Sequence, residues 1–598
     1  MSQTASYTYT PAHSLAECDR ILTAPGELFE TERVVVDGAI LRSFKHIPHS
    51  LRTFWLNCVK DYGSKSYILF EDQELTYDET FDRASRLASV LREKYHIRKG
   101  DRVAIAMRNC PNWIVAFWAC HLLGAVSSLV NSWLPPKPFL HCLTHVSAKA
   151  VIVDIERYRL LEPHLGNFGT GRHVLIASVG ALDKDARVHG VPSLDEDIRH
   201  YTGPKDAWNK EPECKQDDNA TIFFTSGTTG MPKAVVSTHR SFMHGYMCTL
   251  YGRERLLLRR GLAPWGRPNP KGPQGGLLIC IPLFHVTGTT SNLMTYTYQG
   301  FKIGLMRKWD REAAAQFMLK HNLTAFGGVP TQMMDLLTSS LRGQKFLSQL
   351  SYGGAPPPPT LIADITTAFP QALIGQGYGM TETNAPIINF AADDYLQRPK
   401  SCGVTAPINE AFIVDSETLK ECPRGTIGEL WVRGASVMRE YWRDPEETKR
   451  VLTRDGWLKT GDLAYIDDEG FVYICDRLKD IIIRGGENIQ SVMVENAVFG
   501  DLRVQEVAVV AVPDKRLGEL VSAVVVPKEG AVGVTEAEII EVTKKALPQF
   551  AVPVMVLVQT EPLPRNAGGK VLKAEIRKVA AEAWTKRNTP SRKTKSKL

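Results

Sequence analysis

The 598-residue chain contains no Cys-x-x-Cys pair, and its 11 cysteines follow no regular spacing. That argues against a disulfide framework and fits free thiols in a reducing compartment. No basic start followed by an apolar core opens the sequence, so no secretory signal is expected. A transmembrane segment is also missing. The one apolar stretch long enough, residues 111–130, is interrupted by Asn112, His121, Ser127 and Ser128 and follows a strand-like run at 102–107. It reads as a buried helix of an α/β layer. Nor is there a basic footprint for nucleic acid: the formal charge of +7 falls to +1 once the six lysines and arginines of the acid-free stretch 586–598 are set aside. That tail reads as a solvated end. No internal repeat is evident, and 43% apolar with 23% charged residues describes an ordinary soluble globular chain of several domain-sized units.

What is present begins with Thr225-Ser-Gly-Thr-Thr-Gly-Met-Pro-Lys233. It follows the apolar run 220–224, which reads as a buried strand, and small hydroxyl residues and glycines leave its backbone N–H groups open to an anionic phosphate chain. Lys233 adds a point charge. A P-loop is excluded, because Met231 and Pro232 separate Gly230 from Lys233 and residues 234–238 continue as strand rather than helix. The segment is a phosphate loop joining two strands or, on composition alone, a polar hairpin turn.

Along the chain, residues 1–50 read as a loosely structured lead-in with a strand-like 33–37. Strands and helices then alternate to about 390, which predicts layered α/β architecture. From about 400 to 475 the sequence is rich in strands and turns and fits a small β-barrel or an added sheet. After a boundary near 478, strands at 504–512 and 521–526 and helices at 536–546 and 573–584 make a compact α+β domain. The expected organisation is therefore 1–50, 51–478, 479–585 and a tail 586–598. Residues 253–276, rich in Arg, Pro and Gly, read as a long exposed loop. The closing Ser596-Lys597-Leu598 forms a peroxisomal address for an import receptor, so a peroxisomal location is expected.

Four further motifs follow the loop in order: Gln376-Gly-Tyr-Gly-Met-Thr-Glu382, Gly456-Trp-Leu-Lys-Thr-Gly-Asp462, Asp476-Arg-Leu-Lys-Asp480 with Ile483-Arg-Gly-Gly-Glu-Asn488, and Pro564-Arg-Asn-Ala-Gly-Gly-Lys570. With these the chain, from about 50 to 580, resembles the adenylate-forming (AMP-binding) acyl-CoA synthetases, which include fatty acyl-CoA and 4-coumarate:CoA ligases and beetle luciferase. The resemblance implies a large N-terminal AMP-binding domain and a smaller, mobile C-terminal domain, with ATP, Mg²⁺ and coenzyme A as partners of a carboxylic acid. It implies that Thr225, Ser226, Gly227, Thr228, Thr229, Gly230 and Lys233 hold the β- and γ-phosphates. Gly354, Ala355 and Pro356 would line the adenine and acyl pockets, and Gln376, Gly377, Gly379 and Met380 of the second motif would be cofactor-binding. Tyr378 would pack on adenine, Thr381 would meet the α-phosphate, and Glu382, with Thr225, would hold Mg²⁺. Asp462 and Arg477 would bind ribose, Lys570 would act in adenylation, Lys479 would be the hinge, and Gly485 and Gly486 would border the pantetheine channel. His285 matches a histidine near the acyl carboxylate.

Two departures stand out: Ala234 follows Lys233 where the family usually has glycine, and Gln490-Ser-Val-Met493 replaces a common Tyr-Pro-x-Glu run. The expected activity is an ATP-dependent carboxylic acid:CoA ligase, forming acyl-AMP and pyrophosphate and then acyl-CoA and AMP. A medium- or long-chain fatty acid is the favoured substrate, with an aryl or cinnamate-type acid next. A luciferase-like oxygenase and a free-standing adenylation enzyme for a carrier protein are the alternatives. Expected acyl-pocket walls are Val286, Thr287, Thr289, Gly327, Gly328 and Tyr352.

Overall fold

The computed structural model describes residues 9–168, 172–180, 188–225, 231–354, 357, 360–566 and 569–588. The chain divides into two compact units, Met1–Ala411 with Trp431–Lys459, and Phe412–Leu430 with Thr460–Leu598.

The larger unit is built on two sheets. The first has seven strands in the order Glu440–Tyr441, Lys233–Thr238, Asn219–Thr225, Val126–Leu129, Arg102–Ala106, Ala150–Val153 and His173–Ile176. From Asn219–Thr225 outward to His173–Ile176 the neighbours are parallel. Such strands are covered on both faces, and Ala150–Val153 is buried throughout. The second sheet has nine strands, and its central Lys302–Leu305, Gly276–Ile279, Ala325–Gly328, Gln349–Gly353 and Leu373–Met380 are also parallel neighbours. The α/β expectation holds.

The apolar stretch at 111–130 forms the helix Pro111–Leu123, buried at every position, followed by the strand Val126–Leu129. Proline at its first turn and Gly124 at φ 76° beyond its end set its limits. Among the described residues no helix is long and apolar enough to cross a membrane. All 11 cysteines are free, eight of them buried.

The helix His239–Arg259 runs through the core, capped by Thr238, whose hydroxyl accepts from the Ser241 N–H. Its Gly245 and Gly252 share a face. A Cβ at Gly245 would lie 2.0 Å from the Asn384 carbonyl, and one at Gly252 2.0 Å from Asn389 Oδ1. The two glycines thus set the close approach of this helix to the strand Ala385–Ala391.

Two expectations need correction. Residues 253–259 are not exposed loop but the last two turns of this helix, with Glu254, Arg255 and Arg259 buried. Ionic and carbonyl partners make that burial tolerable: Arg259 pairs with Asp394 at 2.5 Å, and Arg255 donates to the carbonyls of Thr405 and Asn389. The lead-in is not loose either. It holds the helix Leu15–Leu22 and the hairpin Thr31–Val36/Ala39–Phe44, and Phe44 and His244 stack at 5.7 Å. The added sheet expected between 400 and 475 is present, with Gly428–Gly434, Leu458–Ile466 and Val472–Arg477 as successive neighbours, while two shorter strands pair elsewhere. Val404–Thr405 pairs with Ala385–Ala391, and Glu440–Tyr441 pairs with Lys233–Thr238.

A four-stranded sheet runs Asn409–Val414, Gly428–Gly434, Leu458–Ile466, Val472–Arg477, and its residues 412–414, 428–430, 460–466 and 472–477 belong to the smaller unit. A second sheet pairs Val504–Asp514 antiparallel with Gly518–Pro527, which Met555–Val558 joins in parallel. Alternation along these strands separates two cores. Val507, Val509 and Ala511 pack with Val494 and Ile539 from the helices Ser491–Val498 and Glu536–Lys544. Ala508, Val510 and Val512 pack with Ile576 and Ala580 of the helix Lys573–Asn588.

Candidate functional site

In the larger unit, Asn219–Thr225 and Lys233–Thr238 form the antiparallel pair expected, with Thr225 directly opposite Lys233. Both ends of the loop are therefore fixed; Ser226, Gly227, Thr228, Thr229 and Gly230 lie outside the described residues. Lys233 is ion-paired with Glu447, and its ammonium sits 5.2 Å from the centre of the Tyr441 ring. Hydrogen bonds from Arg450, and then the Lys233 partnership, hold the Glu447 carboxyl down to about 2. Tyr441 reaches this position because its short strand pairs with the loop's second strand, Val235 opposite Tyr441. Its hydroxyl donates to Glu382 Oε1 at 2.7 Å. Burial, and then the neighbouring Glu382 charge, push the phenol far above its ordinary value. The structure thus strings Glu382, Tyr441, Lys233 and Glu447 into one line.

Glu382, 6% exposed, is held by a tight turn. The Met380 N–H donates to Thr383 Oγ1 at 3.0 Å, and Asn384 and Ala385 follow at φ 56° and 106°. An alanine at 106° stores strain. The fully buried Asn384 side chain holds it, accepting from Ser237 Oγ at 2.7 Å and donating to the Ser436 carbonyl at 2.9 Å. One buried carboxylate with a threonine at the strand end suits Mg²⁺, which takes few protein ligands and completes its shell with water and phosphate. No cluster of three or more acidic, His or Cys ligands occurs among the described residues.

Beside this line a cavity of about 180 Å³ runs along the strand Gln349–Gly353 and is lined also by Gly354, Gln376, Gly377 and Gly379. Five of the six expected pocket walls, Val286, Thr287, Gly327, Gly328 and Tyr352, line it. Thr289 does not: it is fully buried, and its hydroxyl donates to the Leu283 carbonyl. Ala355 and Pro356 lie outside the described residues. The imidazole of His285 is pushed down to about 4 by burial, so it is neutral at pH 7, and its Nε2 has no hydrogen-bond partner among the described residues.

In the smaller unit, Asp462 and Arg477 sit opposite each other on paired strands, Nε to Oδ1 3.2 Å, with Asp462 5% exposed. Gly461, at φ 71°, makes the bend before Asp462, and Thr460 Oγ1 accepts from the Asp462 N–H at 3.1 Å. Lys479 lies in the single turn Leu478–Asp480, and Asp480 accepts from Arg577 at 3.4 Å. Lys570 closes a turn in which its N–H donates to Asn566 Oδ1 at 2.9 Å. Burial, and then the Arg477 charge, lower its ammonium to about 7. Asp462, Arg477, Lys479 and Lys570 thus form one electrostatic cluster. Gly485 and Gly486, at φ 60° and 95°, form the two-residue turn between Ile482–Arg484 and Glu487–Ile489. Turn geometry by itself accounts for both glycines.

Sequence reasoning missed Tyr441 and Glu447, for which no local signal exists. It also missed the face of His239–Arg259 that lines the cavity through Thr249, Arg253 and Leu256. Helical spacing of these three residues was the available signal, obscured by the loop reading of 253–276.

Comparison with known proteins shows the family. The AMP-binding enzyme family matches residues 56–442, and the AMP-binding enzyme C-terminal domain matches 493–570. A long-chain-fatty-acid–CoA ligase of Bacillus subtilis is 31% identical over 567 residues, 89% of this chain and 96% of its own. A peroxisomal trans-cinnamate:CoA ligase of Petunia hybrida is 30% identical, covering 90% and 94%. The o-succinylbenzoate CoA synthetase of Bacillus subtilis, solved with ATP and magnesium ion, superposes with a TM-score of 0.72 at 26% identity, covering 87% of this chain and 98% of that one.

Proposed function

The chain belongs to the AMP-binding enzyme family, the adenylate-forming acyl-CoA ligases, and on that premise we propose that it joins a carboxylic acid to coenzyme A at the expense of ATP. A carboxylate resists thiol attack because it is anionic and oxide is a poor leaving group. Transfer to AMP, with release of pyrophosphate, makes that oxygen a good leaving group, which the thiol of coenzyme A then displaces. The observation that carries the reading is the line Glu382–Tyr441–Lys233 beside the phosphate hairpin, with the cavity adjoining it.

In the first step negative charge gathers at the α-phosphate, so fixed cations and dipoles dominate. Lys233 and the loop 225–230 hold the β- and γ-phosphates, and Thr381 meets the α-phosphate. Glu382 and Thr225 would hold magnesium, which neutralises phosphate charge when bound. Neutral His285 stands by the acid's carboxylate, Tyr378 packs on adenine, and Asp462 accepts from both ribose hydroxyls while Arg477 also reaches the ribose. Lys570 serves adenylation in its ammonium form. The Gly485–Gly486 turn borders the thiol arm in the second step, with the boundary near 478 as the hinge at Lys479.

A medium- or long-chain fatty acid is the proposed substrate, supported by the bacterial relative and by the cavity's run along a whole strand; an aryl or cinnamate-type acid is the second reading, supported by the petunia relative. Location in the peroxisome is proposed from Ser596-Lys597-Leu598, outside the described residues. A fusion lacking that tripeptide would stay outside peroxisomes if the proposal holds. The activity is tested by incubating fatty and aromatic acids with ATP and Mg²⁺, with and without coenzyme A. CoA-dependent AMP formation with at least one acid supports the reading, and none with any acid defeats it.

A further inference from the structure

Resting on the ligase reading above and on its hinge at Lys479, we propose that Ser491 is a positioning residue for adenylation. With Asp476 it forms a latch across the hinge, which must open before the thiol step. Asp476 lies on the strand Val472–Arg477, ahead of the hinge, and Ser491 opens the helix Ser491–Val498 beyond it. The Ser491 N–H donates to Asp476 Oδ2, and the Ser491 hydroxyl donates to Asp476 Oδ1 at 3.1 Å. Both residues are buried, at 4% and 0% exposed. Two donors on one buried carboxylate make bonds of the strong, charge-assisted kind.

The latch reaches Lys570 through the next turn of chain. Lys573 begins the helix Lys573–Asn588, three residues after Lys570. Its ammonium donates to Ser491 Oγ at 2.6 Å and pairs with Glu495 Oε1 at 2.7 Å. The Ser491 hydroxyl thus accepts from Lys573 while it donates to Asp476. In this arrangement Lys570 lies within the fields of Arg477 and Asp462, the pair that the ligase reading gives to ribose. The closed latch therefore belongs to the adenylating state. Rotation about Lys479 would carry Ser491, Glu495 and Lys573 together and leave Asp476 behind, breaking both Ser491 bonds. Asp476 would keep the Arg477 N–H, which donates to it at 2.7 Å.

A departure noted in the sequence makes the latch particular to this chain. Ser491 stands where the common Tyr-Pro-x-Glu run has proline, which offers neither an N–H nor a hydroxyl. Gln490-Ser-Val-Met493 therefore supplies two donors to Asp476 that the common run lacks.

The test uses the full chain with Ser491→Ala, which removes one bond, and Ser491→Pro, which removes both. Proline suits the first position of a helix, so the second variant should fold, and a thermal melt checks it. Two rates are measured: acid-dependent pyrophosphate exchange, and thioester formation from supplied acyl-adenylate. The ratio of thioester rate to exchange rate should rise about threefold in Ser491→Ala and about tenfold or more in Ser491→Pro, the scale of losing bonds to a charged group. Opening a latch shifts one equilibrium, so the two rates move in opposite directions. A residue that only stabilises the fold would lower both together. An unchanged ratio in both variants, or parallel loss of both rates, overturns the proposal. Trypsin cleavage after Arg477 and Lys479, beside the 40% exposed Leu478, should quicken in the same order without any substrate. If no acid supports either half-reaction the ligase reading fails. Cleavage that quickens in that order then still upholds the latch, and unaltered cleavage overturns it.

Discussion

Two lysines, one in each unit, are handled in opposite ways. Lys233 is matched by a carboxylate, Glu447, and lies against the Tyr441 ring, so its charge is locally balanced before any ligand arrives. Lys570 is buried near two further cations, Arg477 and Lys479, with Asp462 and Asp480 as the opposing charges. That cluster has more positive than negative charge, and burial first, then the Arg477 charge, lower the Lys570 ammonium to about 7. A balanced lysine can hold a phosphate for many turnovers with little change in its own state. A lysine kept short of anions gains most when negative charge develops near it, which is what a transition state of adenylation supplies.

The sharpest way to break this contrast is Lys570→Ala. Acyl-adenylate formation, read as acid-dependent pyrophosphate exchange, should fall by about 10²–10³-fold or more, the scale of losing one transition-state donor. Thioester formation from supplied acyl-adenylate should persist. Equal loss in both assays contradicts the assignment of Lys570 to the first step. Glu382→Gln comes next, with adenylation down by about 10²-fold and partly restored by high Mg²⁺, read from initial rates against metal concentration.

The pH profile sharpens the comparison further. A lysine lowered to about 7 is charged below that pH and neutral above it. The kcat/KM for adenylation, which reports the free enzyme, should therefore decline as pH rises through about 7. His285, at about 4, stays neutral across this range and adds no limb of its own. Removing the Arg477 charge with Arg477→Gln should move the alkaline limb to higher pH. The smallest effect is expected from Glu447→Gln. Releasing Lys233 from its carboxylate, in a part-buried pair, should lower KM for ATP by about two- to fivefold.

Much of this was legible in sequence wherever the signal was contiguous. The strands flanking the phosphate loop, the buried helix at Pro111–Leu123 and the alternating strands Val504–Asp514 and Gly518–Pro527 each follow from local pattern. What stayed hidden is long-range. Lys233 meets Glu447 across 214 positions, and Glu382 meets Tyr441 across 59, so no window holds either pair. The stretch 253–259 was misread because its charges suggest solvent. The partners that let Arg255 and Arg259 be buried come from residues 389–405. Gly485–Gly486 shows the converse: a motif assigned by resemblance that local turn geometry also demands.

The most direct test of the central claim is a rapid-quench experiment with a reactive acid and ATP, followed by addition of coenzyme A. The account predicts about one equivalent of acyl-adenylate and pyrophosphate per enzyme before coenzyme A is added, and stoichiometric AMP and thioester after it. Thioester formed with no acyl-adenylate preceding it, or ADP in place of AMP, would contradict the account.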